Sequence, residues 1–274
     1  MGPENKAVPP VEDPQGAGFT THHLDPKTSR ATFQLPCGLV IEGKLVRDIQ
    51  VSEMTGVEEE LLAGKGPIGD RLNRVLANCL VDIGGLKGSL PLIMRLPMID
   101  RLYMLIAIRR VSLGDQYMVR AKCPDEACKA EHDYSINLGT LPVVEMADPM
   151  VREFFGILPS GTPFSWHVMT GVDEEWVNAA SKKLKGEGPL TIGILARLDS
   201  LAGEPLEKEP VKMRAAVQAV GKLGLRDRNF LRATFKKHEG DLDTNMEFTC
   251  QTCETEFESE IQVVAKDFFF PSET

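Results

Sequence analysis

From Ala31 to Val51, apolar residues alternate with polar ones (Phe33, Leu35, Leu39, Ile41, Leu45, Val46, Ile49 and Val51). Cys37-Gly38 and Glu42-Gly43 interrupt them with turn chemistry. That pattern predicts a small N-terminal β hairpin or meander. Ahead of it, residues 1 to about 30 carry Pro3, Pro9, Pro10, Pro14 and Pro26 without any hydrophobic period, the composition of a disordered tail. In MTGVEEELL from Met54, Thr55 stands three residues before Glu58, the spacing of a capping box, which predicts a helix over 57–63. Leu72, Val75, Leu76, Cys79 and Leu80 then recur at helical period, predicting a helix over 70–81 that Gly84 and Gly85 end. Pro97 opens the next helix, where Met98, Leu102, Tyr103, Leu105, Ile106 and Ile108 surround the axis almost entirely. A helix apolar all round belongs in the core.

The pattern then restarts. A strand is expected over 164–169, and MTGVDEEWV from Met169 repeats MTGVEEELL from Met54 at an offset of 115 residues. RDRNFLRATFKK from Arg226 repeats IDRLYMLIAIRR from Ile99 at an offset of 127, pairing Asp100 with Asp227, Arg101 with Arg228, and Arg109 and Arg110 with Lys236 and Lys237. Cys123 and Cys250 keep the same 127. Self-similarity at long period is the mark of repeated units. The expected architecture is therefore α+β, with a tail over 1–30 and two tandem-duplicated halves over 31–145 and 146–274. Each half would run strand, capped helix, middle helix, DR helix, strand, cysteine turn, strand. The first DR helix should be core and the second, more polar, should lie at the surface. A polar loop over 203–210 and an Ala/Val helix over about 211–223 complete the second half.

The chemistry sits in the two cysteine turns. YMVRAKCPDEACKAEHDYSINL holds Cys123 and Cys128, and NMEFTCQTCETEFESEIQV holds Cys250 and Cys253, each turn between two strand-like flanks. Zinc takes four thiolates at about 2.3 Å, and one turn supplies two. Both turns are needed, so the expected site is a four-cysteine zinc ribbon split between the halves, closed and hence structural. Four buried thiols packed as small apolar groups would be the plain alternative, but matched strand–turn–strand settings favour a metal. Cys37 and Cys79 have no partner at ligand spacing, and His132 is close enough to Cys128 to be weighed as a substitute ligand.

Composition narrows the function. A formal charge of −9 argues against phosphate binding, and six cysteines in 274 residues are too few for a disulfide scaffold. No apolar leader follows Met1 and no apolar run reaches spanning length, so a cytoplasmic protein with no membrane span is expected, retention in an assembled particle being left open. His22, His23, His167 and His238 form no constellation, and no phosphate-binding, hydrolase or metalloprotease motif occurs. No catalytic residue is therefore expected. The acidic triplets Glu58, Glu59, Glu60 and Asp173, Glu174, Glu175 read as dipole-complementing solvent residues, and the basic pairs Arg109, Arg110 and Lys236, Lys237 as their counterparts at helix ends. Phe268, Phe269 and Phe270 are costly to expose, and should either fold back onto the core or dock on a partner.

In order, MTG-x-EEE-LL from Met54, DRL-x-x-L-x-A-x-RR from Asp100, Gly114-Asp115, the cysteine turns and the terminal FFFP resemble the baseplate hub assembly proteins of T-even phages and their relatives in contractile-tailed phages and injection systems. The resemblance covers most of residues 40 to 272. It implies a non-enzymatic, chaperone-like assembly factor or minor component of a baseplate or central hub, with other tail and baseplate hub proteins as partners. It also carries the cysteine turns onto Cys123, Cys128, Cys250 and Cys253. A zinc-ribbon nucleic-acid binder is the competing reading, resting on Arg109, Arg110, Arg120 and Lys122, and a zinc enzyme would need an open coordination position.

Overall fold

The structure, a computed structural model, describes residues 22–25, 29–185, 188–209, 212–261, 263 and 266–270. The chain begins with β1 (His22–Asp25), β2 (Arg30–Ile41) and β3 (Lys44–Ser52), then α1 (Gly56–Ala63), α2 (Ile68–Cys79), β4 (Leu80–Ile83), α3 (Leu90–Arg95) and α4 (Met98–Leu113). The hairpin β5 (Gln116–Lys122) and β6 (Glu131–Asn137) follows, with β7 (Val143–Val144) after it. Next come β8 (Glu153–Ile157), β9 (Pro163–His167), α5 (Gly171–Lys183), α6 (Pro189–Arg197), β10 (Leu198–Leu201) and β11 (Glu204–Pro205). The chain continues through α7 (Met213–Gly221), α8 (Leu225–His238), β12 (Asp241–Leu242), β13 (Asn245–Thr249), β14 (Glu256–Glu260) and α9 (Lys266–Phe269).

Two of the sheets among the described residues have four strands. The first has the order β1-β2-β3-β4 and the second β11-β10-β9-β8. Hence β2-β3-β4 and β8-β9-β10 are built alike: an antiparallel pair whose second strand is joined, through two helices, to a third strand beside it. In both, that third strand starts at the residue after the helix end, Cys79 to Leu80 and Arg197 to Leu198. The sequence pattern alone extends the first of these helices through Val81, because no glycine or proline marks the change. Both helices after the sheets' second strands carry the expected capping box. The Thr55 amide and hydroxyl donate to Glu58 at 2.9 and 2.7 Å, and those of Thr170 donate to Asp173 at 2.9 and 2.7 Å.

The expected turn at Cys37-Gly38 is instead a bulge. Pairing of β2 with β3 jumps from Gln34↔Asp48 to Leu39↔Val46, leaving residues 35–38 pushed out of the ladder, while the hairpin turn itself is at Glu42-Gly43. Gly38 has φ +74, and a Cβ there would stand 2.4 Å from the Val46 carbonyl oxygen, so the bulge requires glycine. The stretch 1–30, expected as a structureless tail, holds one strand: His22–Asp25 pairs antiparallel with β2. The remainder of that expectation falls outside the described residues, apart from Ser29 and Arg30.

The larger core is gathered around α4: Met104, Ile106, Ala107 and Ile108 are wholly buried there. At about 1.5–3 kcal/mol per large apolar side chain, a helix buried this way anchors everything packed on it. The same core takes in Phe248, Ile261, Val263, Phe268 and Phe269 from the end of the chain. A second core gathers Phe164, Trp166, Leu195, Leu198, Leu231 and Phe235. The asymmetry expected between the DR helices is present: α8 buries Asp227, Arg228, Leu231 and Phe235 and leaves Leu225 and Phe230 exposed.

Candidate metal centre

Two strand pairs deliver the four cysteines. Pairing runs from Gln116↔Asn137 to Lys122↔Glu131 in the first hairpin and from Asn245↔Glu260 to Thr249↔Glu256 in the second. Each cysteine turn is the loop that joins the two strands of its hairpin. The Cys123 amide donates to the Ala130 carbonyl at 2.9 Å, and the Cys250 amide to the Thr255 carbonyl at 2.9 Å. The residue after each second cysteine, Lys129 at φ 50 and Glu254 at φ 60, takes the left-handed conformation that folds the turn back. The wider first turn is held by Asp125, whose carboxylate accepts the Ala127 and Cys128 amides at 2.7 and 3.2 Å. An aspartate closing on its own next residues in this way explains how a four-residue gap still makes a knuckle.

The hairpins face each other through aromatic rings. Tyr134 lies 4.6 Å from Phe248 and 6.3 Å from Phe257, and its hydroxyl donates to the Thr249 carbonyl at 3.1 Å. This contact brings the two turns together: Cys123 Sγ is 3.6 Å from Cys253 Sγ and Cys128 Sγ is 3.8 Å from Cys250 Sγ, with all four sulfurs within 4.8 Å of one another. A tetrahedral ion with Zn–S bonds of about 2.3 Å has S···S edges of about 3.8 Å. Four thiols at these separations fit one metal ion of that size, and the four cysteines can hold it. Burial pushes the Cys123 thiol up to about 12, whereas hydrogen bonds from the Thr255 hydroxyl and amide pull Cys253 down to about 6. Ligands bind as thiolates, so Cys253 is the sulfur nearest to its ligating form.

The other candidates fall elsewhere. His132 Nε2 is 3.0 Å from the Thr252 hydroxyl and outside the thiol cluster, where it links the first hairpin to the second turn. Cys79 is core, as expected. Cys37 lies in the β2 bulge with its Sγ 3.4 Å from the Glu239 carbonyl oxygen, and burial pushes its thiol upward. His167 bridges Asp199 at 2.7 Å and Asp173 at 3.1 Å. Burial opposes its charge, but hydrogen bonds to Asp173 and Asp199 outweigh that and hold the imidazole up at about 9. A cavity of about 810 Å³ between α2, α4 and α5 is lined by Leu72, Leu76, Ile99 and Leu105 with Asp70 and Glu175 among its polar residues.

Several charged residues read as solvent groups are structural. Glu58 is buried, accepting from Thr55 and from the Asn78 amide at 2.9 Å. Arg109 and Arg110 are buried. Arg109 donates to the Phe268 carbonyl at 2.8 Å and lies over the Tyr117 and Phe268 rings at 4.8 and 5.4 Å, while Arg110 pairs with Asp115 at 2.8 Å. Arg120 pairs with Asp133 at 2.8 Å. The nucleic-acid reading thus loses three of its four cations to internal partners. The terminal aromatics fold back: Phe268 and Phe269 are buried, which corrects the partner-docking alternative for those two rings.

The DR pairs do more than their sequence suggests. Asp100 accepts the Cys37 and Gly38 amides at 2.8 and 2.7 Å, plugging the bulge, and Asp227 accepts the Ser160 amide at 3.0 Å in the β8–β9 turn. Arg101 bonds Asn73 on α2 and Glu174 on α5; Arg228 bonds Thr191 on α6 at 3.1 Å. Each aspartate therefore fixes a strand hairpin, while Arg101 ties α4 to α2 and α5, and Arg228 ties α8 to α6 and to the Val220 carbonyl on α7 at 3.1 Å. The repeated dipeptide is visible in the sequence, but its backbone partners are not.

No helix among the described residues is long and apolar enough to cross a membrane. No curated protein and no solved structure matches the chain. Residues 34–154, which span the plugged bulge, the first capping box, α4 and the first cysteine turn, match the family model of the T4 bacteriophage base plate protein.

Proposed function

We propose that the protein is a non-enzymatic assembly factor or minor structural component of a contractile-tail baseplate, tied together by one structural zinc ion on Cys123, Cys128, Cys250 and Cys253. The observation that carries the baseplate role is the family match over residues 34–154. Zinc is supported by the donor set: four thiolates with sulfur separations of 3.6 and 3.8 Å suit a tetrahedral ion. Four protein ligands leave no open position for a reacting water, so the ion holds structure rather than performing chemistry.

A tandem duplication underlies this design. It is supported by the shared element order, the two capping boxes at Thr55 and Thr170, and the two DR dipeptides with parallel jobs. Each half contributes one knuckle, and the ion clips the ends of the halves together. The partners are other baseplate proteins. The protein acts in the producing cell, chaperone-like, by presenting surfaces on which hub components assemble.

Deletion of the gene from its phage or injection-system cluster tests the role. The expected result is tails arrested before a complete baseplate, restored by the wild-type chain; normal tails from the deletion would contradict it. Antibody detection in finished particles separates a transient factor from a retained component.

A further inference from the structure

The two sheets end differently. In the first, the outer edge of β2 is covered by β1, and the far edge at β4 is closed by its own turn: Gly88 donates to the Leu80 carbonyl at 3.1 Å, and Ile83 and Leu86 exchange hydrogen bonds at 3.0 and 3.1 Å. In the second sheet the far edge, β11, is two residues long and contains Pro205, which cannot donate. The edge equivalent to that of β2 is β8, and among the described residues nothing pairs with it on the side away from β9.

β8 is lightly protected, with only its five-residue length and the single charge of Glu153 against pairing. Its sequence, Glu153-Phe154-Phe155-Gly156-Ile157, has no lysine, no proline and no bulge in its pairing with β9. Phe154 faces inward and stacks on Trp166 with ring centroids 4.4 Å apart. The alternate residues therefore face outward, and Phe155 is 83 % and Ile157 67 % exposed. By contrast, β2, β3 and β4 of the first sheet expose no large apolar side chain.

From this we infer that β8 is a self-pairing edge: two copies of the chain join antiparallel through β8, centred on Phe155, into one continuous sheet. Centring on residue 155 sets Phe155 beside the other copy's Phe155 and Phe154 beside Gly156, with Glu153 beside Ile157, so outward residues stay on one face in both copies. Cross-strand aromatic pairs of this kind stabilise antiparallel sheets. A second copy is the favoured occupant because this register sets the two exposed Phe155 rings together and each Phe154 beside a glycine, and because β8 is the bare edge with exposed large apolar side chains among the described strands of the two sheets. That arrangement closes as a twofold dimer and does not grow into a fibre.

The full chain is tested by light scattering after size exclusion and by sedimentation equilibrium. The predicted mass moves from the 30.2 kDa of one chain to twice that as concentration rises. Phe155→Lys and Phe155→Glu, both at an exposed position, should each be monomeric with an unchanged far-ultraviolet circular dichroism spectrum. Mixing them should restore a dimer, because residue 155 of one copy meets residue 155 of the other. Leu225→Glu, at an exposed apolar residue on α8, should dimerise as the wild type does. A wild-type monomer at every concentration, which would leave the edge to a different protein, overturns the inference. So do a dimer that survives both Phe155 substitutions, a failure of the mixed pair to associate, and loss of the dimer in Leu225→Glu.

Discussion

Cys123 Sγ lies 3.6 Å from Cys253 Sγ although 130 residues separate the two along the chain. Such a contact closes a very long loop, and a metal shared across it adds its binding free energy to folding. Chelation should therefore loosen the far end of the chain as well as the hairpins. Stripping the ion with a strong chelator is expected to lower the urea midpoint and to speed proteolysis near residues 245–260. A metal-free sample with an unchanged midpoint would show that Tyr134, Phe248 and Phe257 suffice to hold the hairpins together.

Asp100 and Asp227 each hold the backbone of a strand hairpin, with unequal loads. Asp100 accepts two buried amides and Asp227 one that is only part-buried. Burial pushes the Asp100 carboxyl up to about 7, against the pull of those amides and of Arg152 and Arg47. Because an unsatisfied buried amide costs about 1–3 kcal/mol, Asp100→Ala should destabilise by about 3–5 kcal/mol and Asp227→Ala by about 1–2 kcal/mol. Urea denaturation of the two variants checks the order; equal losses would contradict the bulge-plugging role.

His167 gives the fold a defined alkaline limit. Its pKa rises from 6.5 to about 9 on folding, so the native state binds this proton more tightly than the unfolded chain. The contribution is full below about pH 6.5 and is lost as pH rises through about 9, at a total on the order of 2 kcal/mol once solvent screening of the partly exposed ring is allowed for. Nuclear magnetic resonance titration of the imidazole should place its midpoint near 9, and Asp199→Asn should lower it. A midpoint near 6.5 would mean that the contacts to Asp173 and Asp199 do not hold the charge.

Arg109 fastens the chain's end to its centre. It donates to the Phe268, Gly114 and Gln116 carbonyls at 2.8, 3.1 and 3.3 Å. A lysine keeps the charge without the planar fork, so Arg109→Lys should still cost about 2 kcal/mol or more. Phe268→Ala should cost about 3–5 kcal/mol by emptying a fully buried ring site. Limited proteolysis near the C-terminus should accelerate in both variants; a resistant terminus would contradict the clamp.

What the chain reveals on inspection is what short-range chemistry writes into it. Thr55 with Glu58, Thr170 with Asp173, and the paired cysteines all act within a few residues of one another, so spacing alone exposes them. Arg109 resists reading because its main partner is a backbone carbonyl 159 residues away, which has no sequence signature. β4 and β10 escape notice because they follow helices without a turn residue. Each has two buried ends around two half-buried residues, and four positions are too few to establish a period. The bulge at Cys37-Gly38 reads as a turn because glycine serves both. Only Asp100, 62 residues beyond Gly38, decides between them.

The most direct test of the account is the metal content of the purified chain, measured beside single Cys→Ser variants at Cys123, Cys128, Cys250 and Cys253. One zinc per chain in the wild type, with loss of the ion and of stability in variants from either turn, is the predicted result. A wild-type chain without metal, or a turn whose cysteines can both be replaced at no cost, would contradict the shared centre.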